Sequence, residues 1–216
     1  MKQKIALITG SSSGIGLKIA QIFQKEKIKV LMCGLDDFNQ KFKVNENLID
    51  YTKIDLQDKQ QRQNYVQKII LNFKGIDILI NNAGIFRNLQ VEDTSLEDWQ
   101  QMLELNLTVP FFLIQSFIPY MKQQKFGRII NISSQKGIKG APKQSAYSAT
   151  KHGLIGLTKS VALETCQYGI TCNSICPAWV KTTPLIQEIQ QTAEKIKLVF
   201  KKNFKAFQKI NRKIMK

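Results

Sequence analysis

Lys4-Ile5-Ala6-Leu7-Ile8-Thr9-Gly10-Ser11-Ser12-Ser13-Gly14-Ile15-Gly16 is the stretch on which the fold turns. Residues 4–9 read as a short apolar strand, and residues 16–25 as a helix. Gly10, Gly14 and Gly16 let the backbone turn tightly between them and come close to a bound group. A helix that opens on such a turn presents unpaired N–H groups and the positive end of its dipole, which suits a phosphate. Glycine-rich turns are common, so the trio alone also fits a plain turn. The strand–turn–helix context is what favours nucleotide binding.

Working outward, short apolar runs alternate with longer helical patterns, the signature of βαβ units and a parallel sheet. Strands are expected at residues 30–33, near 51–54, at 76–80, 128–132 and 171–176. The run at 76–80 reads as apolar throughout, as a strand buried on both faces should be. Helices are expected around 59–73, 99–121 and 146–168, with Pro110 and Pro119 marking irregularities or ends. The fold class is therefore α/β: a doubly wound, Rossmann-type parallel sheet in one domain. Residues 1–190 are expected to form its main body, and residues 191–216 a basic amphipathic segment of the same domain, either a lid or a tail that binds an anionic surface or a partner groove.

The 216 residues suffice for one core without disulfides or metal. The chain opens Met1-Lys2-Gln3-Lys4 and enters the first strand at once, which leaves no room for a leader. No apolar run suggests a membrane span. The cysteines Cys33, Cys166, Cys172 and Cys176 read as reduced thiols of a cytoplasmic protein, and with His152 as the one histidine no metal site is expected. Half of the net charge of +16 lies in residues 191–216, where nine Lys and Arg face one acid, Glu194. A charge so confined argues against a nucleic-acid role for the whole protein.

Past the second expected strand come Asp36 and Asp37. An acid there bonds both ribose hydroxyls of NAD and repels the extra phosphate of NADP, although a solvated loop acid has the same appearance. Asn81-Asn82-Ala83-Gly84 follows the fourth strand, where small residues leave room for a ring and a ribose, or simply make a turn. Ser134, Tyr147 and Lys151 carry the chemistry. Tyr147 and Lys151 stand four apart and share a helix face. A lysine cation beside a tyrosine lowers the phenol's pKa and makes it a usable acid or base toward an alcohol. Ser134 ends a strand, where its hydroxyl can hold a substrate oxygen. Alone, the three residues equally fit a surface tyrosine, an unrelated lysine and a turn serine.

Taken in order, TGSSSGIG, NNAG, the Asn of LNL, a serine before the tyrosine, and YSATK resemble the short-chain dehydrogenase/reductase family. AYSATKHGLIGLTK, ALET and TCNSICPAWV, within residues 145–180, look more specifically like its D-3-hydroxybutyrate dehydrogenases. The resemblance implies an NAD-dependent oxidoreductase that moves a hydride to or from a small-molecule substrate, a small 3-hydroxy acid with (R)-3-hydroxybutyrate and acetoacetate as the pair, in a homo-oligomer. It makes Tyr147 the proton donor and acceptor, and Lys151 its partner and the holder of the nicotinamide ribose. Ser134, rather than Ser133, would polarise the substrate oxygen, and Asn106 would hold a water in a proton relay. Gly10, Gly14 and Gly16 would face the pyrophosphate, with Ser13 and Ile15 in the same turn. Asp55 and Leu56 would flank the adenine, and Asn82, Ala83 and Gly84 would pass beside the ribose. Pro177 and Val180 would line the nicotinamide pocket, and Trp179 the substrate side.

The chain also departs from that pattern. Phe86 stands where those dehydrogenases carry Gln, Lys136 where they carry His, and Gln144 where they carry a carboxylate-binding Lys. Carboxylate recognition would then fall to Lys136 or Lys143. The chain is shorter than the roughly 250 residues of a family member, so the last strand is expected to be missing, which leaves the sixth as an edge. A reductase with another substrate, and a non-catalytic protein that keeps the cofactor fold, remain the alternatives.

Overall fold

A computed structural model describes residues 3–38 and 48–178. Six strands form one sheet in the order β3-β2-β1-β4-β5-β6, and every pairing is parallel. They are β1 (Ile5–Thr9), β2 (Lys29–Gly34), β3 (Ile49–Lys53), β4 (Ile78–Asn81), β5 (Gly127–Ile132) and β6 (Ile170–Ile175). The helices are α1 (Gly14–Lys25), α2 (Lys59–Phe73), α3 (Leu96–Leu103), α4 (Val109–Gln123) and α5 (Ser145–Thr165). The doubly wound Rossmann-type sheet expected from the sequence is thus present. The strand order reverses between β1 and β4, which opens a crevice above their carboxyl ends.

The register explains why these strands read as apolar runs. Leu31, Leu7, Leu79, Ile129 and Cys172 lie side by side across the sheet and join one core cluster, roofed by Val66, Leu113 and Phe117. One residue further along, Met32, Ile8 and Ile80 line up and face the opposite cluster with Ala20 of α1. Both faces are covered, so alternation is lost. Each fully buried Leu or Ile contributes about 1.5–3 kcal/mol.

Two expectations need correction. The run at residues 76–80 is not apolar throughout: Asp77 is buried, accepts hydrogen bonds from Lys4 Nζ at 2.8 Å and Ile5 N at 2.9 Å, and β4 begins only at Ile78. The helix expected over 99–121 is interrupted by a π-helical turn at Glu104–Thr108. Pro110 lacks the N–H that an α-helix would donate to the Asn106 carbonyl, which accounts for a widened turn at this place. Pro119, by contrast, lies inside α4, which continues to Gln123. The stretch Leu96–Gln123 is long and apolar enough to cross a membrane by composition, but Val109, Leu113, Ile114, Phe117 and Met121 are buried in the core. It is a core element. Among the described residues β6 is an outer strand, with Ile175 48% exposed. Trp179, Val180 and the segment 191–216 lie outside the described residues.

Candidate active site

The glycine turn is held by packing as much as by backbone freedom. Gly10 and Gly14 adopt φ of +59° and +57°, where side chains are strained. A Cβ on Gly10 would lie 2.8 Å from Ala83 Cα, and one on Gly16 would lie 2.5 Å from Asn82 Nδ2 and 2.6 Å from the Gly10 carbonyl oxygen. Gly10 and Gly16, expected to face a pyrophosphate, therefore owe their identity to close packing inside the protein. Asn82 pins the two turns together: its Nδ2 donates to the carbonyls of Thr9 at 2.9 Å and Gly10 at 2.8 Å. Thr9 Oγ1 accepts from the backbone N–H groups of Asn82 and Ala83. Ser13 precedes α1 without a side-chain cap, and no acid sits in the first turn, so the helix N-terminus keeps its N–H groups for an anion. These features fit the pyrophosphate of a dinucleotide.

At the other side of the crevice β5 ends in two serines with different tasks. Ser133 is buried and donates to the Lys151 carbonyl at 3.1 Å. Ser134 is half-buried, accepts the Lys136 N–H at 3.1 Å, and hydrogen-bonds the Tyr147 hydroxyl. Of the two serines, Ser134 is the one that meets the Tyr147 hydroxyl. Helix α5 carries Tyr147 and Lys151 one turn apart, with Lys151 Nζ 5.7 Å from the centre of the Tyr147 ring. Phe86 meets the same ring edge-on, centroids 5.0 Å apart. After β6 the chain returns over the pair: the Ile175 carbonyl accepts Ser133 N–H at 2.8 Å and the Pro177 carbonyl accepts Gln135 N–H at 3.0 Å.

The electrostatics differ from the sequence expectation. Tyr147 has its pKa raised above 10.0, by burial first, with the Ser134 hydrogen bond pulling partly back. Lys151 does not dominate it. The lysine is itself buried, donates to the Ile132 carbonyl at 2.9 Å, and is pushed by burial from 10.5 down to about 8, against a small opposing effect of Cys176. The expected lowering of the phenol by Lys151 is overturned in this geometry, because burial outweighs a cation that points at a backbone carbonyl.

Other candidates also divide. Asn106 is fully buried; its Oδ1 accepts Ile85 N–H at 2.9 Å, while its Nδ2 donates to the Ile85 carbonyl at 2.9 Å and Thr150 Oγ1 at 3.2 Å. Its side chain clamps the loop after Gly84. The Leu56 side chain is in the core rather than open to an adenine, and its carbonyl accepts Arg62. The Asp55 carboxylate caps its own turn at Gln57 N–H, 2.9 Å. Lys136 is half-buried beside Ser134, whereas Lys143 is exposed with φ of +61°. Gln144 Oε1 is buried without a partner. Two features escaped sequence reading. Asn81 donates to Asn131, which donates to Thr158, both at 2.8 Å, in a buried chain beneath the site. Lys53 of β3 reaches Asp37 at 2.9 Å.

Residues 4–194 match the family model described as short chain dehydrogenase. The chain belongs to the short-chain dehydrogenase family. This short-chain dehydrogenase is 38% identical over 198 residues to the D-beta-hydroxybutyrate dehydrogenase of Cupriavidus necator, covering 89% of this chain and 76% of that enzyme. Among solved structures, a 4-hydroxyisoleucine dehydrogenase mutant complexed with NADH and succinate superposes with a TM-score of 0.82 at 30% identity, over 88% of this chain and 79% of that one. ElxO with NADP bound gives a TM-score of 0.81 at 32% identity, over the same shares. The protein is thus a family oxidoreductase whose relatives include both NADH-bound and NADP-bound structures.

Proposed function

We propose that this short-chain dehydrogenase transfers a hydride between NAD(H) and a small 3-hydroxy acid, with (R)-3-hydroxybutyrate and acetoacetate as the pair. The observation that carries the reading is the convergence of Ser134, Tyr147 and Lys151 at the crevice. The nicotinamide, when bound, supplies or accepts the hydride. The remaining steps belong to the chain. Ser134 holds the substrate oxygen, and Tyr147 passes a proton to it or takes one from it. Burial keeps the phenol protonated at neutral pH, so Tyr147 is ready to donate to a ketone, and alcohol oxidation gains as pH rises. Lys151 orients the nicotinamide ribose. Gly10, Ser13, Gly14, Ile15 and Gly16 hold the pyrophosphate, and Asp36 the adenine ribose. Asn82, Ala83, Gly84 and Pro177 border the nicotinamide half. In the same reading the protein is cytoplasmic and homo-oligomeric and binds no nucleic acid. The similarity to a D-beta-hydroxybutyrate dehydrogenase supports the substrate, and Lys136 beside Ser134 supplies a cation for its carboxylate.

One observation favours a second reading. Phe86 lies against the Tyr147 ring, so the wall beside the reacting oxygen is apolar and suits a ketone with a hydrocarbon substituent. Incubation with NAD and 3-hydroxybutyrate, followed at the NADH absorbance, separates the two. The test of the mechanism is Tyr147→Phe, expected to lower turnover about 10²–10⁴-fold with NADH affinity near normal. A variant retaining more than half of the parent rate overturns the assignment.

A further inference from the structure

The loop after β2 is fastened to β3 at two points. Gly34 pairs with Lys53 in the sheet, and the Ile54 N–H donates to the Gly34 carbonyl at 2.8 Å. Tyr51 and Lys53, two apart on β3, project from the same face. The Tyr51 hydroxyl donates to the Asp36 carbonyl, and its ring stacks on Phe38 at 4.9 Å. The Lys53 ammonium grips the Asp37 carboxylate at 2.9 Å, both side chains being largely exposed. A Cβ on Gly34 would lie 3.1 Å from Tyr51 Oη and 3.2 Å from Ser12 Oγ, so the phosphate turn and this loop touch at Gly34. A cation from β3 is thereby brought to the place where a nucleotide ribose would sit. It is neutralised by Asp37, while the neighbouring Asp36 carboxylate bonds to none of the described side chains.

We infer that the Asp37–Lys53 ion pair is a specificity gate for the cofactor's adenine ribose, resting on the reading that this end of the crevice holds a dinucleotide. With Asp37 in place, Lys53 is occupied, and among the described residues of this loop and β3's end a 2′-phosphate meets two carboxylates against one ammonium. With Asp37 neutral, Lys53 is released as a phosphate partner, and the protein accepts NADP. Asp36 alone does not decide the preference. A lone acid at this loop would leave Lys53 free to attract the very phosphate it repels. The acid pair divides the work: one carboxylate for the ribose diol, the other for the lysine.

The test is the affinity for NADH and NADPH, read from nucleotide fluorescence in the parent, Asp36→Ala, Asp37→Asn, Lys53→Met and the Asp37→Asn/Lys53→Met double variant. Asp37→Asn is expected to tighten NADPH about tenfold, the worth of one charge-assisted bond to a phosphate, with NADH nearly unchanged. The gain should shrink as salt screens the exposed lysine. It should vanish in the double variant. If the double variant binds NADPH as tightly as Asp37→Asn, the gain came only from lost repulsion and the gate is refuted. No gain in Asp37→Asn refutes it equally. Asp36→Ala separates the underlying reading: if it alters neither affinity, the ribose is elsewhere and reading and gate both fall. If it weakens NADH while Asp37→Asn does nothing, only the gate falls.

Discussion

Replacing Lys151 by Met should leave the fold at least as stable at neutral pH even as it removes a proposed functional group. The lysine is 5% exposed, and burial holds its pKa near 8 rather than 10.5. At about 1.4 kcal/mol per tenfold, that difference makes the protonated side chain cost roughly 3 kcal/mol in the folded state. The sign follows from proton counting. Below pH 8 both states hold the proton, so the cost is complete. Between pH 8 and 10.5 the unfolded chain holds more protons than the folded one, so stability rises with pH and the cost is relieved. Methionine removes the charge but orphans the Ile132 carbonyl that Lys151 Nζ meets at 2.9 Å, a loss of about 1–3 kcal/mol. At pH 7 the variant should therefore equal or exceed the parent in stability. From pH 7 to pH 10 the parent should gain roughly 2–3 kcal/mol on the variant. Urea unfolding of both proteins at the two pH values gives this double difference, in which the other titrating groups cancel. A difference that stays constant across the range refutes the buried, depressed lysine.

Gly16→Ala should destabilise by about 1–3 kcal/mol, because its Cβ meets Asn82 Nδ2 and the Gly10 carbonyl, and neither can move without breaking the turn. An unchanged melting temperature would contradict that packing. Deleting residues 195–216 decides between a lid and a surface-binding tail for this segment, in whose sequence Ile196, Phe200, Phe204, Phe207, Ile210 and Ile214 recur at helical spacing. Weaker substrate binding and earlier melting are expected. Neither change, with loss of binding to anionic vesicles, favours a surface-binding segment instead.

The fold was legible because a sheet covered on both faces writes itself as unbroken apolar runs. Residues 5–9 and 29–34 stand out for that reason. Legibility failed where a polar residue has a private partner. Asp77 was passed over in an otherwise apolar run, yet its carboxylate accepts from Ile5 N–H and pairs with Lys4 just before β4. The π-helical turn at Glu104–Thr108 was announced by Pro110, but proline marks irregularity without naming its kind. Pro119 carries the same signal and leaves its helix unbroken.

For the site, legibility followed the distance over which a residue acts. Tyr147 and Lys151 share one helix, so their spacing alone puts them together, and Ser134 follows from its place at the end of β5. What spacing could not supply was the balance of forces on Tyr147. The phenol's pKa depends on how deeply α5 is covered and on where the Lys151 ammonium points, and the Ile132 carbonyl takes that ammonium. The same limit hid Lys53. Its role depends on β3 lying beside β2 in one register, with Gly34 opposite Lys53, and a shift of one residue would turn that side chain to the other face. A charge inventory of residues 35–38 alone finds two acids and no cation. Only the strand pairing shows that one of the acids is already spoken for, which is why cofactor preference here is a property of two strands rather than of one aspartate.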